Sequence, residues 1–157
     1  MKRQKLSGAV QKILKKARVA RLATLDDKNR PHIVPICFAY DGKLFYTAVD
    51  RKPKRVPRER LARLRNIQVV PRIALLIDEY DEDWAQLWYI LIRGKAKLIP
   101  KSAHEHASAI RKLRAKYPQY AHGMLADDAP IIRITPERAT FWGKSLAANA
   151  RSRRTGA

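Results

Sequence analysis

Hydrophobic and polar positions change period several times along the 157 residues, and each change marks an element. Leu6, Val10, Ile13, Leu14 and Ala17 recur at helical spacing with lysines between them, which predicts a short amphipathic helix with one core face. Over 18–25 the pattern becomes that of a strand, closed by the polar turn Asp26-Asp27-Lys28-Asn29. Arg21 shares a strand face with Val19 and Ala23, so it is expected at a barrel mouth or in an ion pair. A second strand is expected over 31–40, with His32, Val34, Ile36 and Phe38 on one face and Ile33, Pro35, Cys37 and Ala39 on the other. Pro35 has no N–H to give to a ladder; it marks an edge, a bulge, or a place where something other than a strand lies alongside the backbone. Asp41-Gly42 is the strongest hairpin signal in the chain, and residues 43–49 then run back antiparallel.

The alternation stops at 51–58, where five cations and two prolines predict a fixed, extended display of charge. Leu61, Leu64 and Ile67 suit a helix that starts at Arg58 or Glu59 and is stopped by Pro71. Residues 72–78 are almost continuously apolar, as in a strand covered on both faces. A longer strand follows over 87–99, with Gly94 as a bend or bulge. Ser102 and Glu105 have capping-box spacing, and Ala103, Ala107, Ile110, Leu113 and Tyr117 make the apolar stripe of the helix they open, ended by Pro118. A last strand over 130–142, broken near Pro136, precedes a basic tail at 147–157. About six short, mostly antiparallel strands with three helices predict a mainly β fold with α additions, a small β-barrel, as one domain over 1–146.

Composition adds a partner class. A chain of 18.0 kDa fits one domain with a sizeable core. Its 34 Lys and Arg against 14 Asp and Glu give a net charge of +20, which favours nucleic acid, an acidic membrane surface or a phosphorylated small molecule without choosing among them. The apolar runs are too short to span a membrane and the basic N-terminus lacks an apolar signal core, so a cytoplasmic protein is expected. Cys37 is the single cysteine; it rules out an internal disulfide or a multi-cysteine zinc site and reads as a small buried hydrophobe. Five of the 14 acids fall in 78–84, but without the glycine and terminal glutamate of a calcium loop they read as ion-pair partners for the basic excess. His104 and His106, two apart on a helix, point to different faces, and no metal site is expected. There is no glycine-rich phosphate loop, so any phosphate must be gripped by Lys and Arg side chains. No nucleophile, base and orienter set is present; no catalytic residue is assigned, and a cofactor would carry the chemistry of an enzyme. Phe38, Tyr40, Phe45 and Tyr46 on a basic barrel leave open a nucleic-acid-binding module with stacking platforms, although no RNP, KH or helix-turn-helix signature accompanies them.

The order of Pro31-His-Ile-Val-Pro35, Phe45-Tyr-Thr47, the cations Arg51, Lys52, Lys54 and Arg55, then Arg65-Asn-Ile67 and Pro71-Arg-Ile-Ala-Leu-Leu-Ile-Asp78, resembles the pyridoxamine 5′-phosphate oxidase-like split β-barrel superfamily from Val19 to Trp142. Tyr80 to Trp84 and the Lys-Pro-Lys-Arg loop are most similar to its branch dependent on the deazaflavin coenzyme F420. The resemblance implies a homodimer with two cofactor sites at its interface, and a hydride passed from reduced F420, or alternatively FMN, to a small conjugated substrate. It places Val34, Pro35 and Ile36 along the ring, Tyr46 and Thr47 in the family's Tyr-Thr pair, and Arg51 and Lys52 on the phosphate. Lys54, Arg55 and Asn66 are further phosphate contacts on the same reading, and Trp142 borders the site from the second subunit. The oxidase's C-terminal Arg-Leu-His segment has no match over 147–153, which argues against oxidation of pyridoxamine phosphate.

Overall fold

A computed structural model of the chain describes residues 6–53, 57, 60–143 and 146. The first helix, α1 (Gly8–Lys16), starts where Ser7 Oγ accepts a 3.3 Å hydrogen bond from the Val10 N–H, and it buries Val10 and Leu14 completely. Lys15 and Lys16 fall in its last turn, where cations suit the helix dipole. Then follow β1 (Ala20–Leu25), β2 (Pro31–Ile36), β3 (Ala39–Tyr40), β4 (Phe45–Ala48), α2 (Ala62–Val69), β5 (Arg72–Glu79), β6 (Trp88–Ile99), α3 (His104–Lys116) and β7 (Ile131–Trp142).

The strands form one antiparallel sheet in the order β2-β1-β5-β6-β7-β4-β3. Its terminal strands are neighbours in sequence, joined only by Cys37 and Phe38. Laid flat, seven strands at about 4.8 Å spacing would put their outer members roughly 29 Å apart, whereas three residue steps reach about 11 Å at most. The sheet must therefore curl until its edges meet, which is the expected split β-barrel. Leu22, Phe38, Phe45, Leu75, Ile90 and Ile132 fill the main core beneath α1 and α2. A second core, with Ile110, Leu113, Leu125 and Ile131, lies under α3. No helix among the described residues is long and apolar enough to cross a membrane.

Three expectations are corrected. The strand expected over 31–40 is two strands, which raises the count from six to seven: Phe38 turns its ring fully into the core, and its N–H donates to the Tyr117 hydroxyl at 3.0 Å instead of to a strand. The capping box at Ser102 does not form, because Ala103 is the N-cap and Glu105 turns away to accept from Tyr46 (3.1 Å) and Arg133 (3.2 Å). Finally, β7 is not broken at Pro136. The proline sits opposite Gly94 and the irregularity is taken up as a bulge, with Arg93 facing Arg138 and Glu137 as the extra residue. Elsewhere the turn chemistry follows the sequence: Asp41 Oδ1 accepts from the Lys43 and Leu44 N–H groups at 2.9 and 2.7 Å, and Gly42 takes φ +99°.

Candidate functional site

The chain after β4 turns through Val49 and Asp50, both buried, and delivers Arg51 and Lys52 to the surface. The Arg51 N–H donates to the Met124 carbonyl at 2.9 Å, tying this loop to a π-helical turn at Tyr120–Met124. Between them opens a cavity of about 720 Å³, with Arg18, Cys37, Lys52, Tyr117, Tyr120 and Met124 among its walls. That volume is in the range of small-molecule and cofactor pockets.

Asp50 organises the cationic end. Its Oδ2 accepts from Lys52 Nζ at 2.9 Å and from the Tyr120 hydroxyl at 2.8 Å, while Oδ1 accepts from the Lys52 N–H at 3.2 Å. The Asp50 hydrogen bond raises the Lys52 pKa above its ordinary value. Burial, then the bonds to Asp50 and to neighbouring Cys37, push the Tyr120 hydroxyl upward, and burial takes Tyr117 to about 12. Both phenols thus keep their protons near neutrality and serve as donors. Tyr117 Oη lies 2.7 Å from the Arg18 carbonyl and 3.0 Å from that of Phe38, with one proton to offer and the Phe38 N–H to accept, so it closes the gap between β2 and β3 beside the cavity.

The residues singled out from sequence fall in several places. Lys52 lines the cavity. Val34, Pro35 and Ile36 lie on β2, the terminal strand of the sheet as Pro35 suggested; Ile36 points into the core, Pro35 is exposed opposite Arg21, and the next residue, Cys37, opens on the cavity. Arg51 is exposed on the same loop as Lys52. Tyr46 is buried toward α3 and Thr47 is 2% exposed. The Asn66 side-chain amide donates to Thr24 Oγ1 at 3.0 Å and borders a separate pocket of about 290 Å³ with Asp26, Arg30 and Arg65. Trp142 is 54% exposed on the outer sheet face, stacked on Tyr89 with ring centres 6.2 Å apart. Lys54 and Arg55 lie outside the described residues. One chain therefore gathers Lys52 with the end of β2 and leaves Asn66 and Trp142 elsewhere.

Arg18, Asp50 and Tyr120 were not singled out from sequence, and Tyr117 was read only as part of the apolar stripe of α3. The one available signal was Asp50 as the acid opening a run of cations. Arg21, by contrast, is ion-paired with Asp78 as one of its two expectations had it. His106 is buried with a ring nitrogen 2.8 Å from the Ala129 carbonyl while His104 is exposed, and no metal-holding group of three His, Cys, Asp or Glu occurs among the described residues. Phe38, Tyr40, Phe45 and Tyr46 are all buried, so none of them is available as a stacking platform.

Comparison with known proteins adds a lineage to this geometry. The family model described as pyridoxamine 5′-phosphate oxidase matches residues 6–143. Among solved structures, a conserved hypothetical protein from Mycobacterium tuberculosis is 18% identical with a TM-score of 0.70, over 94% of this chain and 93% of that one. A haem-storage protein from Vibrio cholerae is 14% identical with a TM-score of 0.67, over 89% and 95%. An F420 reductase is 20% identical with a TM-score of 0.59, over 83% and 94%. At such identities the likeness is one of fold. No curated protein sequence matches the chain.

Proposed function

The chain belongs to the pyridoxamine 5′-phosphate oxidase family, and from that premise we propose that it is an F420-dependent oxidoreductase acting on a small conjugated substrate. The observation that carries the reading is the cavity at Lys52, whose cationic end is set by buried Asp50 and whose other walls are aromatic or apolar apart from Arg18 and Gln119. Those residues fit a phosphorylated ring cofactor: Lys52 and Arg18 supply charge for phosphate oxygens, and Met124, Pro118 and the tyrosine rings supply surface for a planar ring. When bound, the coenzyme supplies the hydride chemistry. The chain's own residues do the rest. Lys52, held on Asp50, fixes the anionic end; Tyr117 and Tyr120, whose protons are engaged by the Arg18 and Phe38 carbonyls and by Asp50, present their rings as wall; the apolar walls exclude water from the transfer. A second copy of the chain on the outer face of the sheet completes the site with its Trp142.

Separate fluorescence titrations of the purified protein with F420, FMN and haem test the assignment. Saturable F420 binding is expected to be the tightest of the three, and Lys52→Ala to weaken it by about 1–3 kcal/mol, the worth of a charge-assisted hydrogen bond. Tighter binding of FMN or haem would replace F420 as the cofactor. Unchanged affinity in the variant would move the phosphate away from Lys52, and no binding of any of the three removes the oxidoreductase reading.

A further inference from the structure

On the outward face of β6 three successive positions carry cations, and each faces another cation on a neighbouring strand. Lys95 is paired with Arg72 of β5, Arg93 with Arg138 of β7, and Lys97 with Arg133 of β7. Residues directly opposite in an antiparallel pair share a face with their Cβ atoms about 5 Å apart, and like charges placed so are destabilising. Two carboxylates reach this group: Glu137 meets Lys95 at 3.3 Å and Glu105 meets Arg133 at 3.2 Å. Among the described residues Arg72, Arg93, Lys97 and Arg138 have no acidic partner, and all four are exposed. Among the described residues, six cations against two carboxylates on three adjacent strands leave a concentrated positive field that is not neutralised locally. It is the local form of the +20 net charge, and it lies on a different surface from the cavity at Lys52.

We infer that this cationic ladder binds the phosphate backbone of a nucleic-acid strand. From 93 to 97 the strand advances about 13 Å at ~3.3 Å per residue, enough to run beside several phosphates, and backbone contacts by Lys and Arg need no base recognition. An acidic membrane surface fits less well. Membrane-docking faces set apolar side chains among their cations, whereas the positions interleaved with these cations are Ala74 and Thr135, and the outward leucines Leu76 and Leu91 begin only beyond Arg93.

The test uses the full chain and a labelled single-stranded oligonucleotide of mixed sequence, followed by fluorescence anisotropy over a series of salt concentrations. The wild type is expected to bind with a steep salt dependence. In R93S/K97S/R138S, affinity at low salt should fall at least tenfold, and the slope of log K against log salt should flatten by about two, at ~0.7 per lost phosphate contact. Because like-charge pairs are relieved, the melting temperature of that variant should stay level or rise. R93K/R138K, which keeps the charge, should retain most of the binding. Unchanged affinity and slope in the serine variant, a loss of binding matched by a lowered melting temperature, or a preference for phosphatidylserine vesicles over the oligonucleotide would each overturn the proposal.

Discussion

Lys116 lies where α1 meets the end of α3, with its Nζ 3.9 Å from the centre of the Phe38 ring and 3.4 Å from the Leu14 carbonyl. Burial, reinforced by nearby Arg18, lowers its pKa from 10.5 to about 8. The folded state therefore gives up this proton more readily than the unfolded chain, which still holds it near pH 10. Between those values the unfolded state binds more protons, so stability rises with pH. The window closes above pH 10, where Tyr117, held to about 12, remains protonated in the fold and ionises in the unfolded chain, reversing the sign. For a partly buried amine the gain between pH 8 and 10 is on the order of 1 kcal/mol after solvent screening is allowed for. Urea unfolding across this range should show it in the wild type and lose it in Lys116→Met. Parallel profiles for the two proteins would mean that Lys116 is not the titrating group.

At the scale of elements, the long β6–β7 pair depends on one missing side chain. A Cβ on Gly94 would lie 2.2 Å from the Thr135 carbonyl oxygen, a backbone atom of the bulged strand that has little room to move. Gly94→Ala is expected to cost about 1–3 kcal/mol, as for overpacking in a well-filled interior, measured by the denaturation midpoint; a shift within error would show that the bulge re-registers freely. This bulge was legible from Gly94, as were the hairpin at Asp41 and the edge strand at Pro35, because each rests on local chemistry. What was not legible depends on distant partners. The break after Ile36 exists because the Tyr117 hydroxyl, 79 residues from Phe38, takes the place of a strand. Glu105 abandons its cap for Arg133 and Tyr46, which a sequence window cannot foresee. The cavity was half legible: Lys52 stood out by charge and family order, whereas Asp50 and Tyr120 become partners only when the π-helical turn packs beside the loop.

Over the whole molecule, the outer face of the sheet divides into the cationic ladder and an apolar region that no element among the described residues covers. Pro35, Arg21, Leu76, Leu91 and Thr140 form one row across five strands. Around them Val19 is 46%, Ile33 64% and Trp142 54% exposed, next to Tyr89. Arg21, drawn to Asp78, leaves the aliphatic part of the row open. Contiguous apolar surface of this kind marks an interaction site, and the proposed second copy would bury it against its own equivalent, since a twofold interface is self-complementary. Covering it would, on the proposed function, also supply the Trp142 that a single chain holds away from the Lys52 cavity. Sedimentation equilibrium should give twice the 18.0 kDa chain mass for the wild type. L76E/L91E places two carboxylates in the centre of the row at partly exposed positions, so the variant should keep its circular dichroism spectrum, sediment as a monomer and bind the cofactor at least tenfold more weakly. A wild-type monomer that binds cofactor as tightly as the variant would show that the site is complete within one chain, and Trp142 would then have no part in it.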